Sequence, residues 1–279
     1  MTSKQIIGSG LTSFLQNTSA VNSDIKKSTG LNNVLVSPEA FKAIAPTAQL
    51  EVCDGIVAFL DVLGTSSLME SIEKDGIKQE EIQQIYATTM GMQAEFQNSL
   101  QAILEKLGDD LKYMAISDSF VISVPNSKDA ITALIQFVAN FQKICLKSFS
   151  QPLRGAIAKG KIIGNITENT IIGSAFIKAY RAEDKLAIYP RVILDIQLIE
   201  DFELDRLFGY RDLVSRDTDG MFYVNFADHM LAEEILTLVS TVSQKEKHFS
   251  PERQKWDWLC NYLRQKLLVQ TGDSLKGSC

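Results

Sequence analysis

The sequence predicts an α+β sandwich, helices laid on an antiparallel sheet, and three observations predict it. Ile56-Val57-Ala58-Phe59-Leu60 is an uninterrupted apolar run closed by Asp61, the pattern of a buried central strand. Two long stretches, Ile82 to Leu107 and Ile131 to Cys145, carry apolar residues at helical spacing. Between them, two short apolar runs flank Ser117-Asp118-Ser119, small turn-formers that read as the tip of a hairpin.

Taken in order, residues 1–50 are rich in Ser, Thr and Asn, with short apolar patches such as Val34-Leu35-Val36, and read as an irregular N-terminal extension. Compact patterning begins near Gly55. The first helix ends at Gly108, one residue past its last apolar position, as helices commonly do. Leu111 to Ile116 and Phe120 to Val124 form the hairpin, Ser127 to Lys147 the second helix, and Leu153 to Ala158 a further strand. Ile171-Ile172-Gly173 leads into a third helix ending near Ala187, and Pro190 opens the strand Arg191 to Leu194, a strand position open to proline. Asp217-Thr218-Asp219-Gly220 reads as a turn between two strands, followed by helices near 228–243 and 251–268. Strand, helix, hairpin, helix, strand is the ferredoxin-like order, with helices packed on one face of the sheet. The expected division is an extension over 1–50, a core domain over 51–228 and a helical segment over 229–279 that packs on the core.

Composition narrows the chemistry. A net charge of −6 argues against a nonspecific electrostatic grip on nucleic acid. No apolar run approaches bilayer length, and Met1-Thr2-Ser3-Lys4 lacks a signal peptide's layout, so the expected setting is the cytoplasm, off the membrane. Cys53, Cys145, Cys260 and Cys279 lie far apart and read as buried thiols rather than a zinc site. With His229 and His248 as the only histidines, any metal chemistry falls to carboxylates. Trp256 and Trp258 read as packing residues, because their surroundings are not basic enough for a base-stacking platform.

Two aspartates then matter. Asp61 follows five apolar residues, where a carboxylate is costly without a partner, a capping role or a metal. Singly, Asp61 reads as a cap on the turn Val62-Leu63-Gly64, and Asp118 as an exposed hairpin turn. In a ferredoxin-like sheet, however, the first strand lies beside a hairpin strand, which brings both to the same sheet edge. Bare carboxylates there repel, and Mg²⁺ or Mn²⁺, which prefer oxygen ligands, removes the repulsion. Gly64 lets residues 63–66 turn tightly, so the backbone N–H groups of Leu63, Gly64, Thr65 and Ser66 are expected to hold phosphates at a helix N-terminus.

Phe59-Leu60-Asp61-Val62-Leu63-Gly64 resembles the first metal motif of class III adenylate/guanylate cyclases, and Ile116-Ser117-Asp118-Ser119 the second. Residues 154–160, RGAIAKG, resemble that family's central strand, and residues 172–181, ending at Arg181, its segment near the transition state. Together with YPRVILD at 189–195 and DTDGMFYVNF at 217–226, the set is closer still to the Pycsar pyrimidine cyclases of bacterial antiphage defence, over roughly residues 54–228.

That resemblance implies a class III nucleotide cyclase core in which two Mg²⁺ or Mn²⁺ ions per site are held by Asp61, Val62 and Asp118. It implies conversion of UTP or CTP to the 3′,5′-cyclic monophosphate plus pyrophosphate, as a defence signal read by a cyclic-nucleotide-responsive effector. It also implies a head-to-tail homodimer with composite sites, one chain giving the aspartates and the other Arg181 and Lys178. Ser174, Lys178 and Arg181 are spaced to share one helix face, which is equally the spacing of an ordinary solvated face. Three positions depart from the family pattern. Ile177 stands where many members carry a ribose-orienting asparagine, Thr170 where adenylate cyclases often carry a base-contacting acid, and Thr65 where related sequences often carry an aromatic. A purine cyclase and a catalytically inactive, nucleotide-binding cyclase-like module therefore stay open as alternatives.

Overall fold

In the computed structural model of the chain, the described residues are 51–65, 78–164, 170–204, 213–228, 230–243 and 251–271. Strand β1 (Glu51–Val62) runs through the middle of the sheet with Ile56 to Leu60 buried. It pairs antiparallel with β3 (Ser119–Pro125) on one side and β4 (Leu153–Gly164) on the other, and β2 (Lys112–Ile116) pairs antiparallel with β3. Helix α1 (Gln79–Leu107) joins β1 to the hairpin, and α2 (Lys128–Phe149) joins the hairpin to β4. The order β2-β3-β1-β4 with these crossovers is the ferredoxin-like arrangement, and the fold is α+β as the sequence predicts.

The expectation of helices on one face needs a correction. Ile56, Ala58 and Leu60 point to the main core, where Phe96 of α1 and Phe141 of α2 meet Phe120 of β3. Val57 and Phe59 point the other way, into a second cluster with Ala175 and Ala179 of α3 (Ser174–Leu186). An apolar run with no polar face leaves both sides of the strand to be covered, and α3 covers the second. It can lie close because Gly173, at φ 146°, places the backbone where a Cβ would collide with the carbonyl of Lys161.

Beyond β4, β6 (Val192–Leu194) pairs in parallel, followed antiparallel by β8 (Phe222–Val224) and β7 (Val214–Arg216), while the short β5 (Ile172–Gly173) pairs with β4 off the main path. Helix α4 (Ile196–Phe202), not read from the sequence, starts where Asp195 accepts a hydrogen bond from the Gln197 N–H at 3.2 Å. Pro190 lies two residues ahead of β6 rather than opening it. Helices α5 (Ala232–Val242) and α6 (Pro251–Thr271) complete the described chain.

Trp258 packs as expected, stacked on Tyr189 and Tyr262, with its indole N–H donating to Asp217 at 2.8 Å. The Tyr262 hydroxyl donates to Asn225 Oδ1 at 2.6 Å and accepts from the Ala227 N–H at 2.9 Å, which ties α6 to the end of β8. Cys145 and Cys260 are buried, whereas Cys53 is exposed, because it lies in the outer start of β1 before the strand is covered. His229, His248 and Cys279 lie outside the described residues. Among the described residues no helix is long and apolar enough to cross a membrane.

Candidate active site

Strand register brings the two aspartates together. Asp61 pairs with Ser119 on β3 and with Arg154 on β4, and Asp118 occupies the two-residue turn that precedes Ser119. The Val62 N–H donates to the Asp118 carbonyl at 3.3 Å, so the end of β1 is tied to the hairpin tip. Ser117 sits at φ 55°, a left-handed conformation that costs about 1 kcal/mol for a residue with a side chain. Gln93 of α1 supports that turn by donating to the Ser117 carbonyl at 2.8 Å.

Among the described residues the Asp61 carboxylate caps no backbone N–H of the following turn. Its Oδ1 accepts from the Ser119 hydroxyl at 3.0 Å, and its Oδ2 lies 3.6 Å from Arg154 Nη2. Burial pushes the Asp61 carboxyl above its ordinary value and the charge of Asp118 adds to this, while Ser119 and Arg154 oppose it. Arg154 also reaches Glu183 of α3, with Nε and Oε1 2.8 Å apart. That approach is off the hydrogen-bond direction, so both buried atoms lack a hydrogen bond among the described residues. Burial, with the charges of Asp61 and Asp184, pushes the Glu183 carboxyl up to about 7 against the lowering effect of Arg154.

The donor chemistry here fits a hard divalent cation. Asp61 and Asp118 offer carboxylates, and the Val62 carbonyl, already accepting from the Thr65 hydroxyl at 3.3 Å, follows Asp61 at the end of β1. Among the described residues, no three His, Cys, Asp or Glu side chains gather into a metal cage. An ion at this acid pair would therefore draw its other ligands from water and phosphate oxygens, as Mg²⁺ commonly does.

The expected phosphate cradle is only partly available. Gly64 makes a tight turn at φ 97°, in open space. The Leu63 N–H, however, donates to the Pro152 carbonyl at 3.0 Å, so Leu63 is corrected from phosphate donor to a buried tie between β1 and the loop before β4. Thr65 begins a helical turn, and Ser66 lies outside the described residues.

Helix α3 keeps the expected cations away from the acid pair of its own chain. Phe176 and Tyr180, one turn apart, meet Phe59 at 6.1 and 5.3 Å, and Glu183 continues that flank to Arg154. The opposite flank presents Lys178, Arg181 and Lys185 to an open cleft of about 510 Å³, floored by Ala156, Ile193, Leu194, Met221 and Phe222. Neither Asp61 nor Asp118 lines that cleft. Arg181 is exposed, Lys178 Nζ donates to the Lys159 carbonyl at 3.1 Å, and Ser174 Oγ accepts from the Lys161 N–H at 2.9 Å. The shared face of Lys178 and Arg181 is thus real, whereas Ser174 is spent on anchoring α3. Thr170 lines a separate pocket with Glu51, Cys53 and Asp54 at the start of β1, about 25 Å from Asp61 at strand rise.

Arg154, Glu183 and Ser119 were not singled out as site residues from the sequence. Glu183 alone left a signal, an acid in register with Ala175 and Ala179 on a buried helix stripe.

No protein-family model and no curated protein matches the chain. Solved structures that overlay on it include a bacterial light-regulated adenylyl cyclase (14% identity, 95% of this chain and 72% of that one, TM-score 0.43). They also include the guanylyl cyclase Cya2 (11% identity, 62% and 92%, TM-score 0.41). A third is an adenylate/guanylate cyclase/hydrolase from Silicibacter pomeroyi (14% identity, 63% and 96%, TM-score 0.41).

Proposed function

We propose that the chain is a metal-dependent nucleotide cyclase that closes a nucleoside triphosphate to its 3′,5′-cyclic monophosphate with release of pyrophosphate. The observation that carries this reading is the Asp61–Asp118 pair, held side by side where β1 meets the hairpin of a ferredoxin-like sheet. Divalent ions bound there supply Lewis-acid activation of the ribose 3′-hydroxyl and charge for the departing pyrophosphate. Ser119 fixes one oxygen of Asp61 and the Val62–Asp118 backbone hydrogen bond ties the two segments together, so Asp61 is oriented and Asp118 is held close to it before substrate arrives.

Arg181 and Lys178 serve the reacting phosphate from a second copy of the chain. Their place on the α3 flank away from their own acid pair supports this reading. Thr170, at the far end of β1 from Asp61, lies too far from its own acid pair to contact a nucleotide base bound there, so any base contact it makes is to a nucleotide held by a second chain. The preference for UTP or CTP, the defence role and the effector that reads the product rest on the sequence resemblance to Pycsar cyclases.

Incubating the protein with each of the four triphosphates and Mn²⁺, then separating products by chromatography, tests the reading. A cyclic pyrimidine nucleotide is expected. A cyclic purine product would keep the cyclase and overturn the pyrimidine assignment, and no cyclic product from any triphosphate would overturn the enzyme.

A further inference from the structure

The acid pair does not stand alone: Asp61, which feels the charge of Asp118, shares the guanidinium of Arg154 with Glu183. We propose that Arg154 is the resident counter-ion of Asp61 and that Glu183 draws it aside when a divalent cation enters, so that this pair sets the metal affinity of the site. The inference rests on the metal-centre reading given above.

Each partner is placed by a different part of the fold. Register on β4 sets Arg154 opposite Asp61, and the buried stripe of α3 sets Glu183 above Arg154. A glutamate only 5% exposed among alanines is costly unless it answers a charge, and Arg154 is the cation that reaches it. Neither of Arg154's contacts is saturated: 3.6 Å to Asp61 is long for an ion pair, and the 2.8 Å approach to Glu183 is misdirected. A guanidinium in that position can shift between its two acids without breaking a good hydrogen bond. The Asp61 oxygen that faces it is Oδ2, whereas Oδ1 is held by Ser119, so exchange of one cation for another leaves the carboxylate oriented. With Asp118 beside Asp61, the acids of this cluster outnumber its one arginine, and a divalent cation relieves that excess.

Arg154 and Glu183 therefore act on affinity in opposite directions. Removing the arginine charge takes away a competitor of the metal, and removing the glutamate leaves the arginine wholly to Asp61. The test is a Mn²⁺ titration of the full chain without nucleotide, read by electron paramagnetic resonance, on wild type, Arg154→Gln, Glu183→Gln and the double variant. Arg154→Gln is expected to tighten binding about ten-fold, the scale of one unit charge removed at contact distance from a partly screened site. Glu183→Gln is expected to weaken it several-fold, and the double variant to lie close to Arg154→Gln, because Glu183 acts chiefly through Arg154.

Unchanged affinity in Glu183→Gln, weaker binding in Arg154→Gln, or an effect of Glu183→Gln that is undiminished without Arg154 would each overturn the proposal. If Arg154→Gln does not fold, Arg154→Met keeps the packing of its stem, and the Glu183→Gln arm alone can still contradict the idea. A wild-type chain with no saturable Mn²⁺ site sensitive to Asp61→Asn would instead remove the metal centre itself, and this inference with it.

Discussion

Two arginines on neighbouring strands and loops of one sheet face acids in opposite ways. Arg191 is wholly buried, bonds Asp217 and Asp219 through its two terminal nitrogens, and lies over the rings of Tyr189, Tyr223 and Trp258 at 5.2, 5.8 and 5.6 Å. Arg154 is a quarter exposed and holds Asp61 at 3.6 Å and Glu183 off-axis, while the charge of Asp118 bears on Asp61. The first cluster is closely bonded, two acids on the two ends of one guanidinium with aromatic cover, and it fastens the 217–220 turn to α6 through Trp258. The second is acid-rich and loosely bonded, which is the condition for accepting a cation from solution. Burial of charge marks structure where it is matched and function where it is not.

The comparison breaks most visibly if the acid-rich cluster proves dispensable for turnover. Asp61→Asn and Asp118→Asn are each expected to lower cyclic product formation by about 1,000-fold or more while the protein stays folded, checked by product chromatography beside circular dichroism. Full activity in either variant would remove that residue from the site.

On stability the order reverses. Arg191→Ala, which strands two acids and empties an aromatic box, is expected to cost about 3–5 kcal/mol by urea unfolding. Arg154→Ala is expected to cost less than half as much, and equal losses would erase the distinction between the clusters.

Acidity sharpens it further. Glu183 has its folded value raised from 4.5 to about 7, so the folded chain holds a proton that the unfolded chain has released. Its contribution is therefore present below pH 4.5 and lost as pH rises toward 7. In urea melts across that window, wild-type stability is expected to fall relative to Glu183→Gln by about 1–3 kcal/mol. Asp219 behaves oppositely. Burial raises its carboxyl, but the Arg191 hydrogen bond, the Met221 N–H and the Arg191 charge together hold it below 3.8, so its contribution persists until strong acid. The smallest effect belongs to the turn after Asp61. Gly64→Ala enters open space at φ 97° and is expected to cost only about 1 kcal/mol of backbone strain in the same melts.

Much of this was legible in the sequence because it is local. The apolar run before Asp61, the helical spacing through Phe96 and Leu100 and the small residues around Asp118 each declare their element within a few positions. The Asp61–Asp118 contact followed from element order alone, since a ferredoxin-like sheet has one place for the hairpin. Arg154 and Glu183 escaped because their meeting depends on the β1–β4 register and on which flank of α3 faces β1, both settled by packing across many residues. The fully apolar β1 likewise says that both faces are covered without saying by what. The loss of Leu63 as a phosphate donor depends on Pro152, a residue 89 positions away in the chain.

The acid pair and the Arg181 flank lie on opposite sides of α3, and the proposed catalytic centre is therefore one assembled from two chains. The direct measurement is to purify Asp61→Asn and Arg181→Ala separately, establish that each is inactive, and mix them at equal concentration with triphosphate and Mn²⁺. Recovery of cyclic product, toward about a quarter of the wild-type rate for random exchange in a two-fold dimer, is the predicted result. Two inactive chains that exchange subunits and remain inactive together would contradict it.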